Sequence, residues 1–297
     1  MPSSNNPYSN PPAFHSDDIE PSNLHDAAFH IIPVPWETSV SYGGGTANGP
    51  NAILHSSVQL EHWLDGSFPG DAGIYTADPV DCDHPSAEVI ENIKVATRAA
   101  LNINKCPILL GGEHALTLGP VQACAELDIP FGIVQFDAHA DLRYAYQGNL
   151  YSHASVMERC TDLGIPLHQV GVRALCKEEA DRRVERGVTY LDAADLYWKG
   201  YPDQLLPDDF PEHVFITFDV DGLDPSIMPS TGTPVPGGLN WYQAIDGLER
   251  ALKGRKLLGA DFAELAPQPG QHAPDFLVAN LIYKFMEIAQ RLNCLQT

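Results

Sequence analysis

Three times in this chain a short, largely apolar run of strand-forming residues ends in acids or histidine, and that recurrence constrains the fold more than any other feature. The runs are 106–110 before Gly111-Gly112-Glu113-His114, 131–136 before Asp137-Ala138-His139-Ala140-Asp141, and 214–218 before Asp219-Val220-Asp221. Apolar runs this short, without polar alternation, suit strands buried on both faces, as in a parallel sheet. Between them lie segments of helical period, such as 86–101 with Val89, Ile93, Ala96, Ala100 and Leu101. Strand alternating with helix predicts an α/β fold in three layers, a mostly parallel sheet flanked by helices. Sites in such sheets lie at the carboxyl ends of the strands, so His114, Asp137 and Asp219 are expected on one rim.

Taken in order, residues 1–26 are rich in Ser, Asn and Pro and lack hydrophobic periodicity. They read as an arm with little structure of its own, available to dock on a neighbouring subunit. A single catalytic domain is expected over 27–297. Residues 27–35 read as a first strand and 36–50 as a glycine-rich loop. Gly43-Gly44-Gly45 has no following Gly-Lys-Ser/Thr, so a substrate-edge loop or a plain turn is favoured over a phosphate cradle. Pro50 suits the first turn of a helix carrying Ile53, Leu54, Val58 and Leu60. Gly111 and Gly112 allow a tight turn from strand to helix that leaves His114 at the strand end. After the 141–153 loop, with its three tyrosines, a helix includes Val156 and Met157. Strands follow at 167–172 and 188–191, with a helix at 178–186 between them. Residues 226–239 read as a rigid Pro/Gly loop, 257–262 as a last strand closing on Asp261 and Glu264, and 279–292 as a last helix.

Composition narrows the function. The formal charge of −22, from 17 basic and 39 acidic residues, argues against nucleic acid or an anionic membrane and suits a small cationic substrate. Six cysteines fall singly with no Cys-x-x-Cys, which suggests neither a disulfide framework nor a zinc ribbon and fits a reducing cytoplasm. No secretory leader or membrane-length apolar run is visible.

In an extended segment alternate side chains share a face, so Asp137, His139 and Asp141 are expected to point one way, roughly 7 Å between neighbours, and Asp219 and Asp221 likewise. With His114 they make two imidazoles and four carboxylates on three strand ends. Four such charges repel strongly in a low-dielectric site, and two divalent cations bring the formal sum to zero. A pair of ions bridged by shared aspartates follows, and oxygen-rich ligation favours two Mn²⁺ over zinc. Such a pair lowers the pKa of a water from 15.7 towards about 7 and makes it a nucleophile. His153, titrating near neutrality, is a candidate proton shuttle. Ser152-His153 is no serine-hydrolase signal, because a Gly-x-Ser-x-Gly elbow is absent from the sequence.

The residues GGEH at 111–114, FDAHADLR at 136–143, SHAS at 152–155, FDVDGLDPSIMPSTGTPVPGG at 218–238 and GADFAEL at 259–265 resemble the ureohydrolase (arginase and agmatinase) family. The resemblance runs from about Val34 to the last helix. It implies an arginase-type fold, a binuclear manganese centre and hydrolysis of a guanidino group to urea and an amine. It places one ion on His114, Asp137, Asp141 and Asp219 and the other on Asp137, His139, Asp219 and Asp221, with Asp137 and Asp219 bridging. It makes Glu264 the partner of the substrate guanidinium, His153 the proton shuttle to the leaving amine, and Asp141 a catalytic carboxylate as well as a ligand. Family members commonly assemble as trimers or hexamers, so a homo-oligomer is expected.

The loop after Asp141 has Arg143 and Gly148-Asn149-Leu150-Tyr151 where arginases hold an Asn and a Ser-Gly-Asn run for the substrate α-carboxylate and amino group. Arginine is therefore disfavoured, and agmatine, a dication yielding putrescine and urea, is preferred. Arg143 keeps open the carboxylates of 4-guanidinobutyrate and 3-guanidinopropionate, unless it serves as a salt bridge. Two rivals stand beside this: a zinc deacetylase on a related fold, which would release acetate, and a non-catalytic relative, which would usually have lost ligands.

Overall fold

The computed structural model describes residues 9–295. The first half of the chain runs β1 (Phe29–Val34), α1 (Gly49–Ser57), β2 (Ile74–Thr76), α2 (Ser86–Leu101), β3 (Cys106–Gly111), α3 (Leu118–Ala125), β4 (Phe131–Phe136) and α4 (Val156–Thr161). The second runs β5 (Leu167–Val170), α5 (Lys177–Arg186), β6 (Thr189–Leu191), α6 (Ala193–Lys199), β7 (His213–Asp219), α7 (Trp241–Leu252), β8 (Lys256–Ala263) and α8 (His272–Arg291). The strands join one eight-stranded sheet in the order β2-β1-β3-β8-β7-β4-β5-β6. Every pairing among them is parallel, as the unbroken apolar strands predict.

Side chains alternate across this sheet into two buried clusters. Ile108, Leu110, Val134, Phe136, Ile216, Phe218 and Phe262 face α1, α7 and α8. Leu109, Ile133, Phe215 and Leu258 face α2, α3 and α4. The result is three layers, helix on sheet on helix.

The register places the site. Leu110, Phe262, Phe218 and Phe136 occupy one row across β3, β8, β7 and β4, and the rings of Phe136, Phe218 and Phe262 stack at 5.2 and 5.9 Å. One residue further on, each of these strands delivers its terminal segment to the same rim. β4, reached early in the chain, sits across the sheet from β3 with the last two strands between them. That reversal of strand order opens a crevice at the carboxyl edge.

Several elements were not anticipated. β2 has only three residues, too few for a pattern, and α6 is a seven-residue helix. α7 carried a readable signal, because Asn240 caps it and Gln243 completes a reciprocal capping box. α8 begins at His272, not 279, with Pro274 in its first turn. Of the arm expected over 1–26, residues 1–8 lie outside the described residues. Residues 9–26 form no helix or strand, yet Phe14 and Ile19 are buried with Phe29 and Ile31. The Phe14 and His15 amides donate to Thr76 Oγ1 and Ser57 Oγ at 3.0 and 2.9 Å, so this stretch docks on its own chain.

Candidate metal centre

The strand-alternation picture of the ligands is corrected by the structure. β4 stops at Phe136, and Asp137 Oδ1 accepts the His139 amide at 2.6 Å. Asp219 Oδ1 likewise accepts the Asp221 amide at 2.8 Å. Both are turns closed by an aspartate on the backbone two residues ahead, a bond that competes with strand continuation. Asp141 follows with φ 53°, a left-handed conformation that aspartate tolerates. Convergence therefore comes from two tight turns, and the expected roughly even spacing along one strand face is absent.

All six sequence-derived candidates nevertheless meet. His114, Asp137 and Asp219 each bring one ligand atom within 4.8 Å of the others, and Asp137, His139 and Asp221 do the same. Asp137 is common to both groups. Asp141 joins the first through Oδ2, 3.0 Å from His114 Nδ1. The same His114 Nδ1 lies 3.1 Å from Asp137 Oδ2 and 3.4 Å from Asp219 Oδ2, while His139 Nδ1 lies 3.0 Å from Asp221 Oδ2.

Charge tests whether this cluster fits cations. One ring nitrogen bears at most one proton, so His114 Nδ1 cannot satisfy three carboxylate oxygens. Among the described residues, no lysine or arginine forms an ion pair with the four aspartates. Burial, reinforced by the charge of Asp137, pushes Asp141 up to about 7. Burial and the charges of Asp221 and Asp137 drive Asp219 upward as well. Burial opposes a charged His114 or His139, but their carboxylate neighbours prevail, raising His139 to about 12 and His114 well above the usual imidazole range. Four buried carboxylates beside two imidazole donors, with no lysine or arginine paired to them among the described residues, suit a pair of divalent ions.

Behind the ligands stands a polar shell that the sequence did not reveal. Gln135 Nε2 donates to Asp137 Oδ2 at 2.7 Å, Gln169 Nε2 to Gln135 Oε1 at 2.6 Å, and Arg183 Nε to Gln169 Oε1 at 2.7 Å. On the other side His114 Nε2 and Thr217 Oγ1 are 2.7 Å apart, and Thr217 donates to Asp261 Oδ1 at 2.7 Å. Gln135, Thr217 and Asp261 sit in register on β4, β7 and β8, one residue before the aromatic row. Asp261 thus lies inside its strand, fully buried, and does not reach the rim. Such partners fix the tautomer and orientation of a metal-binding imidazole. The only sequence signal was a polar residue within an apolar strand.

Glu264 holds the end of β8 at φ 67°, and its Oε1 accepts the His114 amide at 2.6 Å. Burial, helped by the charges of Glu113 and Asp221, raises its carboxyl to about 8 despite that bond. Gly112 lies against the backbone of Trp36, so it is required by close approach and not by an unusual φ. A Cβ there would lie 2.0 Å from the Trp36 carbonyl oxygen.

The glycine-rich loop turns its amides onto two acids, Glu37 within it and Glu113 after β3. Gly45 and Thr46 donate to Glu37, and Thr38 and Ser39 donate to the buried Glu113, so the loop cradles no phosphate. It instead carries Ser39 and Ser41 to His153, whose Nδ1 and Nε2 they meet at 3.1 and 2.7 Å. The expected titration of His153 near neutrality is corrected: burial first, then the neighbouring imidazoles, lower it to about 4. Ser41, His139, Asp141, Arg143, Tyr146 and His153 line a cavity of about 410 Å³ together with Cys176 and Glu179. In its wall, Arg143 Nε lies 3.9 Å from Glu179 Oε2, and the guanidinium sits 5.7 Å from the Tyr146 ring centre.

Comparison with known proteins agrees with this geometry. The model of the arginase family matches residues 27–287. An N(1)-aminopropylagmatine ureohydrolase of Synechocystis sp. is 36% identical, over 88% of this chain and 89% of its own length. One from Thermus thermophilus is 38% identical, over 87% and 89%. Among solved structures, the agmatine ureohydrolase of Thermoplasma volcanium superposes with a TM-score of 0.83 at 27% identity, covering 94% of this chain and 96% of that one.

Proposed function

The chain belongs to the arginase family, and from that premise we propose a two-ion Mn²⁺ ureohydrolase that cleaves agmatine, or agmatine extended by an aminopropyl group, to urea and a polyamine. The relatives carry the reading this far: all act on a guanidino group, two of them on N(1)-aminopropylagmatine and one on agmatine by name.

In this reading His114, Asp137, Asp141 and Asp219 hold one ion, and Asp137, His139, Asp219 and Asp221 the other. Bound there, the ions supply Lewis acidity that brings the pKa of a water from 15.7 towards about 7. Glu264 meets the substrate guanidinium. Its buried carboxylate supplies the counter-charge to that cation, and burial strengthens the pairing. His153, neutral and held by Ser39 and Ser41, takes up the proton of the attacking water and returns it to the leaving nitrogen. That nitrogen must leave as an amine, because an amide anion is far too basic. Arg143 is drawn to Glu179 and Tyr146, which supports its salt-bridge role over a carboxylate anchor.

The carrying observation is that Asp137 belongs to both candidate ligand groups and that, among the described residues, no lysine or arginine forms an ion pair with the aspartates of either group. The test is urea release by the Mn²⁺-loaded protein offered agmatine, N(1)-aminopropylagmatine, 4-guanidinobutyrate, 3-guanidinopropionate and arginine. Highest kcat/KM for one of the two amines is expected. Highest kcat/KM for a guanidino acid would instead assign Arg143 to a substrate carboxylate. A cytoplasmic trimer or hexamer belongs to the same proposal, and the exposed Tyr197, Trp198 and Tyr242 are compatible with assembly. Light scattering in solution tests the oligomer.

A further inference from the structure

Arg173 lies outside the ligand set, in the loop after β5, yet it touches both metal-bearing turns. Its own amide and that of Ala174 donate to the Ala138 carbonyl at 2.9 Å each, pinning the turn between Asp137 and His139. Its guanidinium reaches the other turn. Nη2 donates to the carbonyls of Asp221, Leu223 and Val235 at 2.7, 3.2 and 2.7 Å, Nη1 to those of Gly222 and Gly171 at 3.3 and 3.1 Å, and Nε to Val235 at 3.0 Å. No carboxylate among the described residues forms an ion pair with it. The fork is spent on backbone oxygens, which an ammonium could not match in number or direction.

The space for it is reserved. A Cβ on Gly238 would lie 2.6 Å from Arg173 Nη2 and 2.6 Å from the Leu223 carbonyl carbon. Between the two pinned turns, Asp221 Oδ1 accepts the Ala138 amide at 3.1 Å and its Oδ2 faces His139 Nδ1 at 3.0 Å. The contacts of Arg173 therefore bracket the Asp137, His139 and Asp221 group. None reaches His114 or Asp141.

We propose that Arg173 is a positioning residue for one half of the metal centre: it clamps the 221–223 turn against the 137–139 turn and sets the separation of Asp221 from His139 and Asp137. This rests on the two-ion reading above. Because the clamp is one-sided, its loss weakens one ion selectively, which a residue that merely held the fold together would not do.

The experiment is calorimetric titration of Mn²⁺ into the metal-free full-length protein, wild type against R173K and R173M, with EPR of the loaded samples. Wild type binds two ions. In the variants the ion of the His114 and Asp141 side keeps its affinity, while the Kd of the other rises about 10- to 100-fold, the range for lost outer-shell support. The spin-coupled EPR signal of a manganese pair gives way to that of a single ion. R173K, which keeps the cation and loses the fork, gives the same selective loss and decides the matter alone if R173M does not fold. Parallel weakening of both ions, or of neither, overturns the clamp. Fewer than two ions in wild type overturns the two-ion reading, and the clamp with it.

Discussion

Asp137→Asn tests the shared ligand most directly, because the hydrogen bonds around it leave an amide nowhere to fit. Oδ1 accepts the His139 amide at 2.6 Å, and Oδ2 accepts Gln135 Nε2 at 2.7 Å. Asparagine can present only one oxygen, so either rotamer sets its NH2 against a donor. Gln135 cannot relieve the clash by flipping, since its Oε1 already accepts Gln169 Nε2, whose own Oε1 accepts Arg183 Nε. A buried donor left without an acceptor costs about 1–3 kcal/mol. The neighbouring imidazoles hold the Asp137 carboxyl well below the usual carboxylate range in spite of burial, so losing its charge is a further cost. Metal-free D137N should therefore lose at least about 1–3 kcal/mol in urea denaturation and retain neither ion after Mn²⁺ loading and desalting, with urea release abolished. Metal content at the wild-type level would refute the shared-ligand assignment. An unchanged denaturation midpoint in chelator would refute the argument from the amide chain.

Glu264→Gln should keep both ions and lower kcat/KM about 10- to 100-fold, the loss of one charge-assisted bond; urea-release kinetics beside metal analysis check it, and an unchanged kcat/KM removes Glu264 from the guanidinium. His153→Asn should also keep the metal but lower kcat about 10²- to 10⁴-fold, and turnover near wild type would exclude proton transfer through this imidazole. A third expectation concerns stability. Burial holds His168 down to about 4, against 6.5 for a free imidazole, so the unfolded chain binds more protons between those values. The stability from keeping it neutral is whole above pH 6.5 and lost as pH falls towards 4, about 2.5 kcal/mol being gone by pH 4.5. Metal-free wild type should thus lose about that much more stability than H168Q between pH 7.5 and 4.5; parallel curves would show that His168 does not titrate this way.

How much of this was legible depended on whether the signal was local. The helix over 86–101 is realised at those bounds as α2, because sixteen residues repeat the apolar period often enough to leave one solution. The ligands were legible for a different reason. Aspartate and histidine at strand ends declare their chemistry by residue type, and a parallel sheet delivers its strand ends to one edge whatever the local dihedrals. For that reason all six converge even though the mechanism of convergence was misread. The strand-alternation argument ignored that a carboxylate can bond the amide two residues ahead, as Asp137 and Asp219 both do, ending the strand where alternation would have to continue.

The shell behind the ligands is a matter of register, which one stretch of chain cannot encode. Gln135, Thr217 and Asp261 are far apart in sequence and meet only because β4, β7 and β8 pair in the register they do. A slip of one residue on any of these strands would turn its polar side chain to the opposite face, against α1, α7 and α8, and leave it without its partner. The buried hydrogen bonds that steady the metal ligands therefore also penalise misregistered sheets, and the same polar side chains serve both the fold and the chemistry. In Asp137→Asn the two uses separate: the fold loses a hydrogen bond it can survive, and the site loses the carboxylate common to both buried groups.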